Sequence, residues 1–137
     1  MAEQLNDVNL EKFKELDRMV RENPALGKCT VKVKSTWHRG TKVLVEVGPM
    51  HALGNNLFPP TRRFFITTDD PDVLGGVDSA PTPAETLLAA LAGCVTSATA
   101  SNAAAFGVPI DGLDIDMEAD IDLRGLLGHD KSVRNGF

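Results

Sequence analysis

Residues 79–107, SAPTPAETLLAALAGCVTSATASNAAAFG, decide the fold of this chain. Thr82, followed by Pro83 and then by Glu85 three residues after the threonine, has the pattern of an N-cap with a capping box, which predicts a helix start. At the other end, Gly107 suits the left-handed residue that closes a helix, and a proline two residues later prevents continuation. The stretch therefore predicts one long helix with a single cysteine at its middle.

The predicted helix has no charged face, which indicates where it lies. Leucines, a valine and Cys94 form an apolar stripe, and alanines with one glycine occupy most of the remaining positions. A helix that is apolar all round is typical of a protein interior, covered by a sheet or by another chain. Polar residues between 96 and 102 interrupt the run before it reaches the roughly 20 apolar residues of a membrane span. We therefore expect a buried core helix.

The rest of the chain predicts a sheet and one further helix. In chain order we expect an amphipathic helix at 9–22, strands at 29–37 and 43–47 joined by a turn at 38–41, a third strand at 62–68, an acidic loop at 69–80, the long helix, and a strand at 113–123. This order is that of an α+β domain in which an antiparallel sheet packs on the central helix. Residues 1–27 are predicted to form the N-terminal helix with its linker, and residues 28–137 the domain itself.

An acidic row lies in the last predicted strand. Between residues 113 and 123, apolar residues alternate with five carboxylates, Asp114, Asp116, Glu118, Asp120 and Asp122. The row is not an EF-hand, because a glycine at the sixth position and a glutamate at the twelfth are missing. We interpret it as the solvated face of a strand. We predict that it lies beside Lys32 and Lys34, since cross-strand ion pairs would offset the repulsion between the carboxylates.

The end of the sequence predicts an incomplete sheet. Residues 124–131 have the composition of a turn, and residues 132–137 resemble the start of another strand. One short sheet cannot cover a helix that is apolar on every side. We therefore expect the natural chain to continue beyond Phe137, and a second subunit to supply further cover.

Composition limits the classes of function. The 137 residues suit one domain, and 14 basic against 19 acidic residues give a net charge of −5, which favours neither a nucleic acid nor a membrane as partner. The charged N-terminus has no apolar signal-peptide region, and two cysteines without an export signal suggest thiols in a reducing compartment, so we expect the cytoplasm. The three histidines lack metal-ligand spacing. We predict no metal and no cofactor.

Residues 75–94, GGVDSAPTPAETLLAALAGC, resemble the signature of the OsmC/Ohr family, in which PxExLLAALxGC opens a central helix. Residues 122–128 and 133–137 also resemble the strand and turn that follow it, so the resemblance extends from about Cys29 to the end. It implies an intertwined homodimer in which antiparallel sheets wrap two long helices, with active sites at the subunit interface. It also implies thiol-dependent reduction of organic hydroperoxides in oxidative-stress defence, with recycling by a thiol reductant.

This chemistry requires an ionised Cys94 thiol, but the position of Cys94 in the helix does not favour ionisation. The thiolate is the nucleophile, but burial in apolar surroundings raises the pKa of a thiol, and the middle of a helix lies beyond the reach of the helix dipole. A cation must therefore come from elsewhere. The resemblance implies an arginine of the first hairpin, and Arg39 occupies the matching turn. The other arginines that fit are Arg62, Arg63 and Arg134.

The sequence differs from the family pattern at one catalytic position, and the resolving cysteine of the family has no assigned counterpart. Peroxidase members hold the arginine with a glutamate one place nearer the N-terminus than Glu85, and that place is Ala84 here. Glu85 either substitutes for it or serves only as the capping partner of Thr82. The family's second, resolving cysteine would lie beyond residue 137. Cys29 either takes that role, which requires Cα atoms within about 7 Å of each other, or is a small core residue.

Two hypotheses follow from the sequence. The first is a dimeric thiol peroxidase with catalytic residues Cys94, Arg39 and Glu85, acting on organic hydroperoxides. The alternative is a non-catalytic OsmC-like domain that binds a small apolar or sulfur-containing ligand at the dimer cleft. In that case Cys94 is only a small hydrophobic residue in a close-packed helix.

Overall fold

The computed structural model describes residues 4–53, 55–59 and 61–136. The helices are α1 (Leu10–Glu22), α2 (Pro83–Ala105) and α3 (Leu123–Leu126), and the strands are β1 (Gln4–Leu5), β2 (Val8–Asn9), β3 (Cys29–Arg39), β4 (Lys42–Ala52), β5 (Asn55–Asn56) and β6 (Phe64–Thr68). Single 3-10 turns occupy Pro24–Gly27 and Asp72–Leu74. All strand pairs are antiparallel, so the prediction of a mixed helix and antiparallel sheet is confirmed.

Strand β4 is the centre of the main sheet. It pairs with β3 over nearly its whole length, from Ala52 opposite Cys29 to Lys42 opposite Arg39. Its other edge pairs with β6 and, near its C-terminal end, with the short β5. The predicted hairpin and third strand are therefore confirmed, although both hairpin strands are longer than their patterns indicated. Strand β3 is left as a long, exposed edge.

The β3–β4 ladder contains one irregularity that matters later. Val31 lies opposite Met50 and Val33 lies opposite Val47, so Lys32 alone faces the two residues Gly48 and Pro49. This arrangement is a β-bulge, which bends a strand and redirects nearby side chains. The close approach of the strands requires glycine, because a Cβ atom on Gly48 would lie 2.7 Å from the carbonyl oxygen of Lys32.

Helix α1 begins and ends where its sequence predicts. The side chain of Asn9 accepts a 3.0 Å hydrogen bond from the backbone N–H of Lys12, which satisfies one of the unpaired donors of the first turn. Asn23 ends the helix, and Pro24 starts a separate 3-10 turn. The predicted amphipathic helix at 9–22 is thus confirmed.

The predicted ends of α2 are also confirmed. Oγ1 of Thr82 accepts a 3.1 Å hydrogen bond from the N–H of Glu85, and Oε2 of Glu85 accepts a 2.8 Å bond from the N–H of Thr82. These reciprocal bonds form the capping box. At the other end, Gly107 has a φ of 72°, which is the left-handed conformation expected after a helix terminus.

The expectation that α2 is buried is wrong for the single chain. Ala104 is the one buried residue of this helix, whereas Leu87 and Leu91 are 61% and 53% exposed. Little of the described chain packs along the helix, so its apolar faces stay open. By length and composition α2 could also cross a membrane, a property that core helices of soluble proteins share. The sequence correctly predicts the helix, and the described chain leaves its apolar faces uncovered.

The accessible surface of the chain is large for its mass. A folded monomer of 14.7 kDa would expose about 6,900 Å², whereas this chain exposes 10601 Å². Its buried hydrophobic residues are few, and among those described they are Leu10, Ala52 and Ala104. Large apolar side chains of the sheet, such as Trp37, remain exposed together with those of α2. One copy therefore does not complete its own core.

The predicted strand at 113–123 is wrong. Residues 110–122 form no strand, although Leu113, Ile115 and Met117 are less exposed than the acidic residues between them. An alternating pattern produces a strand only where a partner strand supplies hydrogen bonds, and none is present here in the described ranges. The predicted pairing of the acidic row with Lys32 and Lys34 is consequently wrong, because in the described part of the chain β3 pairs with β4 alone.

The C-terminal residues also differ from their prediction. Instead of a turn alone, residues 123–126 form the short helix α3, which Asp122 caps through a 2.9 Å hydrogen bond accepted from the N–H of Arg124. Residues 132–136 contain turns and bends and no strand, and Phe137 lies outside the described residues. The end of the described chain therefore folds back on α3 without extending the sheet.

Candidate functional site

Cys94 lies at the middle of α2, and its side chain is exposed. It lines a shallow groove of about 550 Å³ on the helix surface, together with Val95, Ala98, Thr99, Asn102, Ala103, Phe106 and Val108. The expected burial of this thiol is therefore wrong for the single chain. The walls are mainly apolar, which suits a hydrophobic ligand, and no charged side chain of the described residues contributes to them.

Arg39 does not line this groove. It is an exposed residue at the end of β3, paired with Lys42 across the hairpin turn. The turn is held by Trp37, whose Nε1 donates a 2.9 Å hydrogen bond to the carbonyl oxygen of Gly40. Within one chain the structure thus does not place Arg39 at the wall of the Cys94 groove.

The alternative arginines contact other residues or lie outside the Cys94 groove. The guanidinium of Arg62 stacks over the rings of Phe58 and Phe64, at 4.2 and 4.7 Å from their centroids. Arg63 forms a 3.1 Å ion pair with Glu46. Arg134 does not line the groove either. Within the described residues, therefore, no arginine of the same chain lines the Cys94 groove.

Glu85 lies in the first turn of α2, where it caps the helix. Both of its hydrogen bonds to Thr82, from the backbone N–H at 2.8 Å and from the hydroxyl at 2.9 Å, go to Oε2. These bonds, chiefly the one from the backbone, hold the pKa of the Glu85 carboxyl below its usual value. In the described chain Oε1 has no hydrogen-bond partner. The geometry establishes the capping role and leaves one oxygen open.

A larger cleft lies at the start of α2, and sequence reasoning missed it. Its volume is about 810 Å³, and its walls come from residues 70–74, the first turn of α2, residues 119–127 and Asn135. Leu88 and Ile121 are among its apolar lining residues, and Glu85 also lines it. The sequence signal that could have located it is the pair of motifs at 75–94 and 122–128, since residues of both line this cleft.

A buried carboxylate fixes the loop that leads into α2. Asp69 is 1% exposed, and its Oδ1 accepts a 2.7 Å hydrogen bond from the hydroxyl of Thr41. Its Oδ2 accepts bonds from the hydroxyl and the N–H of Ser79, at 2.7 and 3.2 Å. These bonds, with that from Thr41 contributing most, hold the pKa of Asp69 far below its ordinary value. The carboxylate thereby ties the hairpin turn to the start of the helix.

The other end of α2 is tied to the N-terminal residues. Nδ2 of Asn6 donates a 3.0 Å hydrogen bond to the carbonyl oxygen of Val108, and Oδ1 of Asn6 accepts a 3.0 Å bond from the N–H of Ile110. One amide side chain therefore satisfies two backbone groups of the segment that follows the helix. This clamp fixes the direction in which the chain leaves α2.

Cys29 is exposed at the start of β3, and its Sγ lies 3.8 Å from the carbonyl oxygen of Leu26. It is therefore not the buried strand residue that one of the two interpretations required. It does not line the Cys94 groove, and both cysteines are free thiols. Within the ranges 4–53, 55–59 and 61–136, no group of three or more His, Cys, Asp or Glu side chains is placed to hold a metal ion.

The central helix and the cleft also carry the similarity to known proteins. Residues 76–135 match the family described as OsmC-like protein. The matched segment includes α2, Cys94, Glu85 and Arg134, whereas Arg39 and Cys29 precede it. No protein of curated function matches the chain. The similarity therefore concerns the helix and the residues that follow it, in a chain of mixed helix and antiparallel sheet.

Proposed function

We propose that this chain is a thiol-dependent peroxidase that reduces organic hydroperoxides, with Cys94 as its nucleophile. The observation that carries the proposal is the position of Cys94, which lies at the end of the OsmC-like helix motif and is exposed beside an apolar groove. The OsmC-like family includes peroxidases. An exposed thiol with apolar neighbours suits a substrate that combines a hydrocarbon body with one reactive O–O bond.

The redox chemistry involves the Cys94 thiol, a peroxide and a thiol reductant. The Cys94 thiolate attacks one peroxide oxygen, so that an S–O bond forms while the O–O bond breaks and the alkoxide leaves. The alkoxide takes a proton and becomes an alcohol, and Cys94 is left as a sulfenic acid. A thiol reductant then attacks the sulfur and releases water. A second thiol breaks the resulting mixed disulfide and restores the cysteine.

A second copy of the chain would supply the missing charge. The groove walls contain no cation, yet thiolate and departing alkoxide both need one. We propose a homodimer in which Arg39 of one copy faces Cys94 of the other, held by the open Oε1 of Glu85. The surface of 10601 Å², half as much again as the roughly 6,900 Å² of a monomer of this mass, supports such an association.

The partners and compartment are proposals that rest on composition. An excess of 19 acidic over 14 basic residues supports a chain that binds neither nucleic acid nor an anionic membrane. Two free thiols support a reducing compartment, and we propose the cytoplasm. We assign no cofactor and no metal to the reaction.

Intact-mass analysis with a sulfenic-acid trap tests the peroxidase. The protein is treated with one equivalent of cumene hydroperoxide, and the trapped adduct is followed in time for the wild type, Cys94→Ser and Cys29→Ser. The two serine variants are matched, because both remove one exposed thiol. We expect rapid trapping in the wild type and in Cys29→Ser, and none in Cys94→Ser.

The alternative is an OsmC-like domain that binds a small apolar or sulfur-containing ligand without catalysis. It is favoured by the uncharged groove and by the engagement of Glu85 with Thr82. The same mass experiment separates the two functions. Oxidation of Cys94 at the rate of an ordinary free thiol would exclude the peroxidase and leave the binding domain.

A further inference from the structure

A pocket at the open end of the β3–β4 hairpin has a charge opposite to that of the protein. Its volume is about 370 Å³, and it is lined by Lys28, Thr30, Lys32, His51 and Leu53. Among the described residues no acidic side chain contributes to its walls, although acidic residues outnumber basic ones by 19 to 14 in the chain. A cavity with two cations and no anion in an acidic protein indicates a site for a negatively charged ligand.

The register of the sheet brings these side chains to one face. Thr30 and Lys32 are two residues apart on β3 and therefore point to the same side of the sheet. His51 lies directly opposite Thr30, which places the imidazole and the hydroxyl in one cross-strand pair. Because of the bulge, Lys32 has no single cross-strand partner and faces Gly48 and Pro49 together. Lys28 completes the group from the residue that precedes β3.

The polar groups of the pocket are available to a ligand. In the described part of the chain neither Lys28 nor Lys32 forms an ion pair, whereas the next acidic residue of this face, Glu46, is paired with Arg63. Nδ1 of His51 is enclosed and has no hydrogen-bond partner. Since Nδ1 is enclosed and His51 lines the pocket, Nε2 is the ring nitrogen left to contact a ligand. A neutral ring protonated at Nε2 would donate to an oxyanion.

We propose that this pocket binds the phosphoryl group of a small phosphate monoester. Two ammonium groups act as point charges on phosphate oxygens, and the Thr30 hydroxyl and His51 Nε2–H add two neutral donors. A phosphoryl group carries about −1.5 to −2 charges at pH 7, which matches two lysines better than a single carboxylate does. A volume of about 370 Å³ falls within the range of about 300–1,000 Å³ found for small-molecule sites, so there is room for more than a bare ion.

The pocket is separate from the proposed peroxidase site. None of its lining residues belongs to the Cys94 groove or to the cleft at the start of α2. The inference therefore stands whether or not Cys94 reacts with peroxides. The proposal concerns the binding of the ligand, which the pocket residues determine.

Calorimetric titration at constant ionic strength tests the site. The probes are glycerol phosphate, inorganic phosphate and acetate, each added to the full chain. The variants are Lys28→Gln, Lys32→Gln and Thr30→Val, with Lys34→Gln as the matched control. Lys34 lies on the same face of the same exposed strand but does not line the pocket. All four changes are at exposed positions, and circular dichroism verifies that each variant folds.

We expect saturable binding of glycerol phosphate that weakens about tenfold in Lys28→Gln and in Lys32→Gln, the lower end of the effect of losing a hydrogen bond to a charged group. Thr30→Val should weaken it less, and Lys34→Gln by less than about twofold, since a more distant surface charge is screened. Equal weakening by all three lysine variants would show a diffuse field and overturn the site. Absence of saturable binding, or equal binding of acetate, would do the same. Tighter binding of inorganic phosphate than of glycerol phosphate would assign the pocket to the free ion and overturn the monoester.

Discussion

The hydroxyl of Thr41 donates a 2.7 Å hydrogen bond to Oδ1 of Asp69, across 28 residues of sequence. Thr41 lies in the turn of the β3–β4 hairpin, and Asp69 begins the loop that leads to α2. Ser79 donates to the other carboxylate oxygen from the far end of that loop. Since the same loop also forms part of the cleft at the start of α2, this bond couples the sheet to the candidate site.

Thr41→Val should destabilise the protein. Valine preserves the shape of the threonine side chain but removes the hydroxyl, so a buried carboxylate oxygen loses a donor at a cost of about 1–3 kcal/mol. Urea denaturation measures the change in the free energy of unfolding. Thr36→Val is the control, because Thr36 is exposed on β3 and the structure shows no such bond for it. Equal stability of the two variants would show that the Thr41 bond does not hold the loop.

Acid should destabilise the fold through Asp69. The hydrogen bonds from Thr41 and Ser79 lower the pKa of Asp69 in the folded state below its value in the unfolded chain. Stability from a lowered carboxyl pKa is fully present above the unfolded pKa of about 3.9 and is lost as the pH falls toward the folded one. The urea midpoint should therefore decline below about pH 5, where the unfolded chain begins to take up protons.

The variant Asp69→Asn measures how much of the stability lost in acid is due to Asp69. Asparagine cannot ionise, so the variant should be less stable than the wild type at pH 7 and should lose less stability between pH 5 and pH 3. Glu85, Asp122 and Asp130 also have lowered pKa values, so some acid sensitivity will remain. Parallel pH profiles for the variant and the wild type would exclude Asp69 as a contributor.

The cap of α2 gives a prediction about stability alone. Thr82→Ala removes the oxygen that accepts from the N–H of Glu85, and loss of such an N-cap typically costs about 1 kcal/mol. Thr99→Ala, at an exposed position inside the same helix, is the control, since alanine there improves helix propensity by at most about 0.7 kcal/mol. Thermal denaturation should separate the two variants in opposite directions. A shift of the same sign in both would contradict the capping role.

The proposed cation gives a prediction about chemistry. Arg39→Gln should slow the formation of the Cys94 sulfenic acid by about 100-fold, as expected when one preorganised electrostatic partner of a reaction is lost. Stopped-flow trapping with cumene hydroperoxide measures the rate. Arg63→Gln serves as the control, because Arg63 is paired with Glu46 and does not line the groove. A larger loss in Arg63→Gln than in Arg39→Gln would transfer the role to Arg63.

What the sequence could predict depended on how local the interactions are. The ends of α2 were readable because Thr82 and Glu85 cap it within one turn, and Gly107 closes it. The hairpin could be predicted because two stretches of alternating side chains flank a short turn. The Asp69 bonds were not, since their donors lie 28 and 10 residues away along the chain. No spacing in the sequence marks that arrangement.

The wrong predictions about residues 113–123 and about the burial of α2 have the same physical origin. The acidic segment at 113–123 alternates as a strand does, but the pattern does not specify a partner, and without one the backbone forms no ladder. Likewise, an apolar sequence predicts that α2 is covered but not by what. For Cys94 the consequence is direct, because the thiol that was expected to be buried is exposed in one chain. Whether residues 113–123 form a strand and whether α2 is buried both depend on the surface that packs against them. The local sequence does not specify that surface.

The open faces of α2 lead to the last prediction, that the protein is a dimer whose interface includes this helix. Leu91 is 53% exposed on α2 and would be covered by the second copy, so Leu91→Glu should convert the dimer to a monomer by placing a charge in an apolar interface. Leu16→Glu is the control, because Leu16 is similarly exposed, at 59%, but lies on α1. Sedimentation equilibrium measures both masses. A monomeric wild type would contradict the proposed dimer, and a dimer unaffected by Leu91→Glu would place the interface away from α2.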